Sequence, residues 1–272
     1  MNPVIKWAGG KRQLLSEIEK RLPKTYNTYY EPFFGGGAVY FYLNPNNAII
    51  NDSNPQLINM YNQIKYNSSE LMRLLSIYET EYNSFPSQEF KDNYYYSKRS
   101  EYNNCIITNE QTCHSAALLI FLNKAGFNGL YRVNKNGQYN VPSGHKDKIN
   151  LYDEDNINQI QNSLNSTTIY QDDFERICET AQPGDFVFFD SPYYDTFTSY
   201  QANGFSNEDH QRLYNLFKTL TEKGVYCMMT NNNCEYIRNL YKDYRIEEIS
   251  VKRMINRDPS NRIGEEVIIM NY

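Results

Sequence analysis

The sequence predicts a protein of the α/β class built on a mostly parallel sheet. Two observations carry this. Short apolar strands alternate with segments of helical periodicity at both ends of the 272-residue chain, the order that threads a parallel sheet. Between the two ends, residues 53–165 read almost entirely as helix, so the chain is expected to divide into a unit formed by residues 1–52 and 166–272 and a second subdomain, 53–165.

The elements follow in order. Lys11 to Leu22 places Leu14, Leu15, Ile18 and Leu22 at helical spacing, and Pro23 stops the run. Tyr26 to Tyr30 reads as an aromatic strand ended by Glu31-Pro32. A glycine turn, Phe33 to Gly37, leads into a helix from Ala38 to Leu43, and Asn47 to Asn51 is a buried strand around Ala48-Ile49-Ile50. Pro55 to Lys65 is a helix with proline in its first turn. Helices are expected over Ser69–Asn83, Gln88–Tyr102 and Thr112–Asn123. Residues 123–150 are rich in Gly, Asn and basic side chains and too long for an ordinary connection, which marks a functional insert. A helix near Glu154–Leu164 and strands at Thr167–Gln171 and Asp185–Phe189 come next. The chain closes with a helix at Asn207–Glu222, a strand at Val225–Thr230, a helix at Cys234–Tyr241 and strands near Tyr244–Ser250 and Glu266–Asn271.

Composition bounds the function. Mean hydropathy is low, −0.73, yet 26 Tyr and 14 Phe supply apolar area that this average undercounts, and a disordered chain would be poor in aromatics. No apolar run approaches the ~18–20 residues of a membrane helix, and Met1–Gly10 lacks the basic start and apolar stretch of a signal peptide. The five cysteines form no C-x-x-C pair, and with three histidines no zinc site is expected. Free thiols in a reducing cytoplasm are the expectation. The net charge of −5 hides an asymmetry: residues 123–148 hold five Lys or Arg against one Asp, whereas residues 151–190 hold nine acids and one Arg. A globally acidic protein can still bind a polyanion through one basic insert; a solvated loop would show the same composition.

Three motifs carry chemistry. Glu31-Pro32-Phe33-Phe34-Gly35-Gly36-Gly37 follows a strand and opens a helix, where glycines let a ligand approach the backbone closely. Taken alone, the run also suits a plain tight turn. Asp52 follows the next strand, placed to accept hydrogen bonds from both ribose hydroxyls of a nucleoside, or to cap the helix that begins at Pro55. The buried run Phe186–Phe189 ends in Asp190-Ser191-Pro192-Tyr193-Tyr194. A carboxylate and a backbone carbonyl there can accept the two hydrogens of a planar amine while a ring stacks on its base.

With these residues in view, the chain resembles the Dam-type DNA adenine N6-methyltransferases. The resemblance covers nearly the whole length. It rests on Lys6-Trp7-Ala8-Gly9-Gly10-Lys11, Pro32–Gly37, Asp52, Asn128-Gly129-Leu130-Tyr131-Arg132-Val133-Asn134, Tyr139-Asn140-Val141-Pro142, Asp172-Asp173-Phe174 and Asp190-Ser191-Pro192-Tyr193. Each is modest alone; their order and spacing together are specific. The resemblance implies a Rossmann-like sheet that binds S-adenosylmethionine, with a helical target-recognition subdomain. It implies that Trp7 and Lys11 flank the methionine end of the methyl donor, with Phe34 and Gly35 beneath it. Asp52 would hold the ribose, Asp173 and Phe174 would border the cofactor adenine, Asp190 would sit between the two substrates, and Tyr193 would stack on a flipped target base. Phe127, Asn128, Leu130, Arg132 and Pro142 fall where the target-recognition segment meets DNA, with Lys6 a further contact. Arginine can pair with guanine O6 and N7, and Leu and Pro can touch thymine methyls, chemistry that fits GATC; Phe127 could wedge between base pairs. Lys124, Lys135, Lys146 and Lys148 are expected on phosphates. Double-stranded DNA is thus the expected partner of a monomer that needs neither metal nor membrane, in the cytoplasm of a bacterial or phage-infected cell.

One residue departs from the family pattern. Ser191 stands where the Asp-Pro-Pro-Tyr motif has its first proline. Pro192 still biases Ser191 toward an extended backbone, so the carbonyl keeps its role with less preorganisation, and an active but slowed enzyme is expected. Two other readings remain open at this point: a cytosine N4-methyltransferase, whose motif commonly carries Ser in place of the acid, and a weakly active or inactive protein that binds S-adenosylmethionine and DNA and acts by occupancy.

Overall fold

The computed structural model describes residues 1–7, 9, 11, 13–194, 205–252 and 263–272. Among them, seven strands form one sheet: β1 (Tyr29–Glu31), β2 (Ala48–Asn51), β3 (Thr167–Tyr170), β4 (Phe186–Phe189), β5 (Tyr226–Asn232), β6 (Arg245–Lys252) and β7 (Ile263–Met270), in the order β3-β2-β1-β4-β5-β7-β6. The first five run parallel. β7 lies antiparallel between β5 and β6. The order 3-2-1-4-5 is that of a doubly wound Rossmann-like sheet, and the strand order reverses between β1 and β4.

Burial follows the two-residue period of the strands. Tyr29, Phe186, Phe188, Met228, Ile268 and Met270 point into one hydrophobic cluster, and Tyr30, Val187, Phe189, Cys227, Met229, Val267 and Ile269 into the other. Both faces are therefore covered, which is why Phe186–Phe189 is apolar without alternation. The second face packs α7 (Phe174–Cys178), α8 (Asn207–Glu222) and α9 (Glu235–Leu240). The first face carries α1 (Leu15–Glu19), α2 (Ala38–Leu43), α3 (Pro55–Ser84), α5 (Cys113–Ala125) and α6 (Glu154–Asn165), and its cluster also takes in Tyr95 and Tyr102 of α4 (Gln88–Ile107). The long helical segment thus shares one continuous core with the sheet. Helix α5 is buried on every side from Ser115 to Asn123, as a helix apolar all round must be.

Helix starts follow local chemistry. Asn54 accepts hydrogen bonds from the Gln56 and Leu57 amides, with Pro55 in the first turn. Thr112 with Ser115, and Ser206 with Asp209, form reciprocal capping boxes.

Several sequence expectations need correction. The helix expected over 11–22 spans only Leu15–Glu19. The helices expected at 55–65 and 69–83 meet at a kink at Asn67 (φ −136°), inside the gap that the sequence left between them, so that α3 is two helices joined end to end; the Asn67 side-chain amide reaches back to Gln63 Oε1 at 2.8 Å. The first strand begins three residues later than expected and keeps Glu31 inside it. Helix α7 was not expected at all.

Candidate active site

The crevice outside the carboxyl ends of β1 and β4 gathers the motif residues. The turn after β1 is built by close backbone approach. Phe34 N–H donates to the Asn51 carbonyl at 2.8 Å, and Asn51 Nδ2 donates to the Pro32 and Asp172 carbonyls, both at 3.0 Å. One buried asparagine thereby ties together the ends of β1, β2 and β3. Gly35 sits at φ +50°, and a Cβ there would lie 2.9 Å from Trp7 Cδ1, so glycine is what admits the indole against the turn.

Asp52 is held by backbone donors on both oxygens: Gly35 N–H to Oδ2 and Asn54 N–H to Oδ1, each 2.9 Å. Each carboxylate oxygen accepts two bonds, so each keeps capacity for one more donor. Burial raises its pKa, and the two amides oppose the rise. The residue that caps α3 is Asn54; Asp52 acts one step earlier, fixing the backbone of that cap through the Asn54 N–H.

The Asp190 turn lies beside this one. Lys11 Nζ meets Asp190 Oδ1 at 2.6 Å, donates to the Gly9 carbonyl at 2.7 Å, and stands 4.6 Å from the centroid of the Tyr193 ring. Thr230 Oγ1 donates to the same Asp190 oxygen at 3.1 Å. Among the described residues nothing bonds to Oδ2, which is left as an acceptor. Burial raises the Asp190 pKa, and the Lys11 ammonium is the main influence pulling it down. Tyr193 donates its phenolic hydrogen to Glu266 Oε2 at 2.6 Å, and burial holds that phenol far above its ordinary range. Ser191 is 2% exposed, and among the described residues its hydroxyl meets no partner.

An aromatic cluster lies beyond the glycine turn, around the start of α7. Phe33 lies 5.1 Å from the Phe174 ring, and Phe205 is 5.9 Å from Phe33. Asp173 caps α7 through the Glu175 amide at 2.9 Å and pairs with Arg212 at 2.8 Å, whose guanidinium stands 4.9 Å from the Phe174 ring centroid. Phe34, by contrast, is 2% exposed and packs on Tyr40, Phe41 and Tyr61. Only its main chain faces the crevice, and Phe33 supplies the ring.

The basic insert meets the crevice through the N-terminal segment. Asn123 Oδ1 accepts from Lys6 N–H at 2.9 Å, and its amide donates to the Lys6 and Gly129 carbonyls, both at 2.9 Å. Trp7 stacks on Tyr131 with ring centroids 4.9 Å apart. Phe127 and Leu130 are 49% and 38% exposed. Lys6, Asn128, Arg132 and Pro142 are exposed as well, so the expected DNA-contacting residues form one open surface. Phe127 N–H bonds the Pro142 carbonyl at 3.0 Å, which joins the two ends of the insert. Arg132 is not free: Nε donates to Asn140 Oδ1 at 2.7 Å and Nη2 to the Asn140 carbonyl at 3.2 Å.

Thr230, Glu266 and Arg212 went unnoticed in the sequence, and Phe33 and Asn140 stood inside its motifs without a role of their own. For Glu266 no local signal exists, because its contact spans 73 residues. Phe33, inside the glycine motif, could have been found from the aromatic pair that precedes the turn.

A glycine turn and an acid-proline-tyrosine turn, side by side at the switch point of a doubly wound sheet, place the molecule among the Rossmann-like methyltransferases. Comparison with known proteins narrows the class. The model of the D12 class N6 adenine-specific DNA methyltransferases matches residues 7–255. A type II methyltransferase of Lactococcus lactis subsp. cremoris, M1.LlaDCHI, is 40% identical over 100% of this chain and 96% of its own. M.MjaIII of Methanocaldococcus jannaschii, also called a type II methyltransferase, is 37% identical over 100% and 99%, and the DNA adenine methylase of Haemophilus influenzae 30% over 98% and 92%. The chain belongs to the D12 class of N6 adenine-specific DNA methyltransferases. No helix among the described residues is long and apolar enough to cross a membrane, and none of their His, Cys, Asp and Glu side chains cluster as metal ligands would.

Proposed function

We propose that the protein transfers a methyl group from S-adenosylmethionine to N6 of adenine in GATC duplex DNA, acting on a base flipped out of the helix. The observation that carries this reading is the Asp190 turn beside the glycine turn, with Lys11 Nζ 2.6 Å from Asp190 and 4.6 Å from the Tyr193 centroid.

The residues fit the cofactor. Asp52 keeps one acceptor site on each oxygen for the ribose hydroxyls, the cluster of Phe33 and Phe174 offers apolar ring surface for adenine with Asp173 beside it, and Trp7, Lys11 and the Gly35 backbone line the methionine end. When bound, S-adenosylmethionine supplies a methyl group activated by its sulfonium. The chain's own residues do the rest. The target amine is inaccessible in the duplex, and extruding the base costs a few kcal/mol. Its N6 is a poor nucleophile because the lone pair is delocalised into the ring. Asp190 Oδ2 and the Ser191 carbonyl accept the two amine hydrogens and favour a more tetrahedral nitrogen, while Tyr193 stacks on the base. Positioning and electrostatics then supply most of the catalysis. The methylated nitrogen is strongly acidic and loses its proton without a dedicated base.

The helical segment 53–165 acts as the target-recognition subdomain. With Nε and one Nη hydrogen occupied by Asn140, Arg132 presents its terminal Nη edge, the geometry for guanine O6 and N7. Leu130 and Pro142 stand exposed for thymine methyls, Asn128 for a polar base edge, Lys6 for a base or phosphate, and Phe127 for the space vacated by the flipped base. The surviving acid at Asp190 favours adenine over cytosine, since the cytosine enzymes commonly carry Ser there. Mapping modified bases across the genome of a methylation-free host expressing the chain tests the target. N6-methyladenine at GATC sites is the expected result; another sequence overturns the target, and N4-methylcytosine overturns the modified atom.

A further inference from the structure

We propose that Glu266, on the antiparallel strand β7, is a positioning residue that sets the plane of the Tyr193 ring on which the target base stacks. The proposal rests on the reading of the Asp190–Tyr193 turn as the base clamp.

Tyr193 follows the proline of a turn outside the sheet, so the strand ladder does not fix its ring. Two contacts do. The phenolic hydroxyl donates to Glu266 Oε2 at 2.6 Å, a length typical of a charge-assisted O–H···O⁻ bond. The Lys11 ammonium covers one face of the ring at 4.6 Å from its centroid while ion-pairing with Asp190 at 2.6 Å. Lysine and carboxylate thus hold the ring from a face and from its far edge, and the lysine ties it to the acid that receives the amine. Glu266 is itself well anchored: β7 is an interior strand, paired at this residue to Asn232 of β5 and to Ile249 of β6. A rigid strand is a better base for such a contact than a loop. Stacking depends on ring orientation, and a ring free to rotate about its Cβ–Cγ bond would present its face to the base only part of the time. An anionic acceptor on the hydroxyl also enriches the ring in electrons, which strengthens its hold on the Lys11 ammonium.

The test is a double-mutant cycle on full-length protein with a duplex that carries its target adenine. Glu266→Ala is expected to lower the single-turnover methylation rate about 10- to 100-fold, the range for losing a hydrogen bond to a charged group, with DNA affinity changed less than about threefold. Glu266→Gln, nearly isosteric and still an acceptor, recovers most of the rate and guards against a fold defect. In a Tyr193→Phe background, which has no hydroxyl to hold, Glu266→Ala causes no further loss. The proposal is overturned if Glu266→Ala methylates at the unsubstituted rate, or if its loss is the same in both backgrounds, which would mean a structural role for Glu266. An Asp190→Ala arm separates the layers: unimpaired methylation there defeats the clamp reading itself, whereas its loss alongside an unaffected Glu266→Ala defeats only the positioning role.

Discussion

The Lys11–Asp190 pair shows how a few contacts tune the group that would receive the amine. Burial raises the Asp190 pKa, and the ammonium of Lys11 opposes the rise. Removing that ammonium leaves only the Thr230 hydrogen bond to oppose burial, so the carboxylate takes up its proton at a higher pH. Lys11→Gln is therefore predicted to move the acid limb of the single-turnover pH–rate profile upward, read at saturating cofactor and DNA. A limb that stays in place or moves down would contradict the assignment of Asp190 as the titrating acceptor. Ser191 illustrates the opposite case, a residue whose side chain does nothing visible. Its hydroxyl is buried without a partner among the described residues, and only its carbonyl enters the proposed chemistry. That is why a serine can replace the motif's first proline without losing the functional atom, although an unpaired buried hydroxyl costs about 1–3 kcal/mol of stability. At this scale Asp190, Asp52, Lys11 and Tyr193 were legible in the sequence because each lies within a few residues of a strand end or glycine run. Their partners Thr230 and Glu266 were not, because no local pattern reports a contact made across strands.

Among the elements, α5 carries the largest burden. Its Phe121 is fully buried, with rings of Tyr78, Tyr82, Tyr94 and Tyr95 at 5.5–6.2 Å. These rings come from α3 and α4, so one side chain ties three helices. Phe121→Ala is predicted to destabilise the fold by about 3–5 kcal/mol in urea unfolding, the usual range for a truncated core phenylalanine; a loss below about 1 kcal/mol would mean that the three helices are not locked through this ring. The strands and long helices were legible because period-2 and 3.6-residue patterns persist across them. The break in α3 was legible too, since the polar stretch around Asn67 reads as a stop and the backbone there leaves the helical region. Helix α7 was missed because the five residues of Phe174–Cys178 are too few to show a period.

For the whole molecule, topology is what turns scattered motifs into a site. The glycine turn, Asp52, Asp173 and Asp190 all follow parallel strands, and the β1–β4 reversal opens one crevice for them. The basic insert reaches that crevice through Lys6 and Trp7, which connects the glycine turn to the exposed side chains of Phe127, Asn128, Leu130 and Arg132. The sequence pattern already implied a parallel sheet and a basic insert in an acidic chain. It could not show that the helical segment shares a core with the sheet, because that depends on which helix faces turn inward. The central claim is that the Asp190 turn delivers adenine N6 to the methyl donor. Its most direct test incubates the purified protein with methyl-labelled S-adenosylmethionine and a GATC duplex, then measures the labelled nucleosides after digestion. The account predicts label in N6-methyladenine, formed at least about 100-fold more slowly by Asp190→Ala. Label in another nucleoside, or an undiminished rate without Asp190, would contradict it.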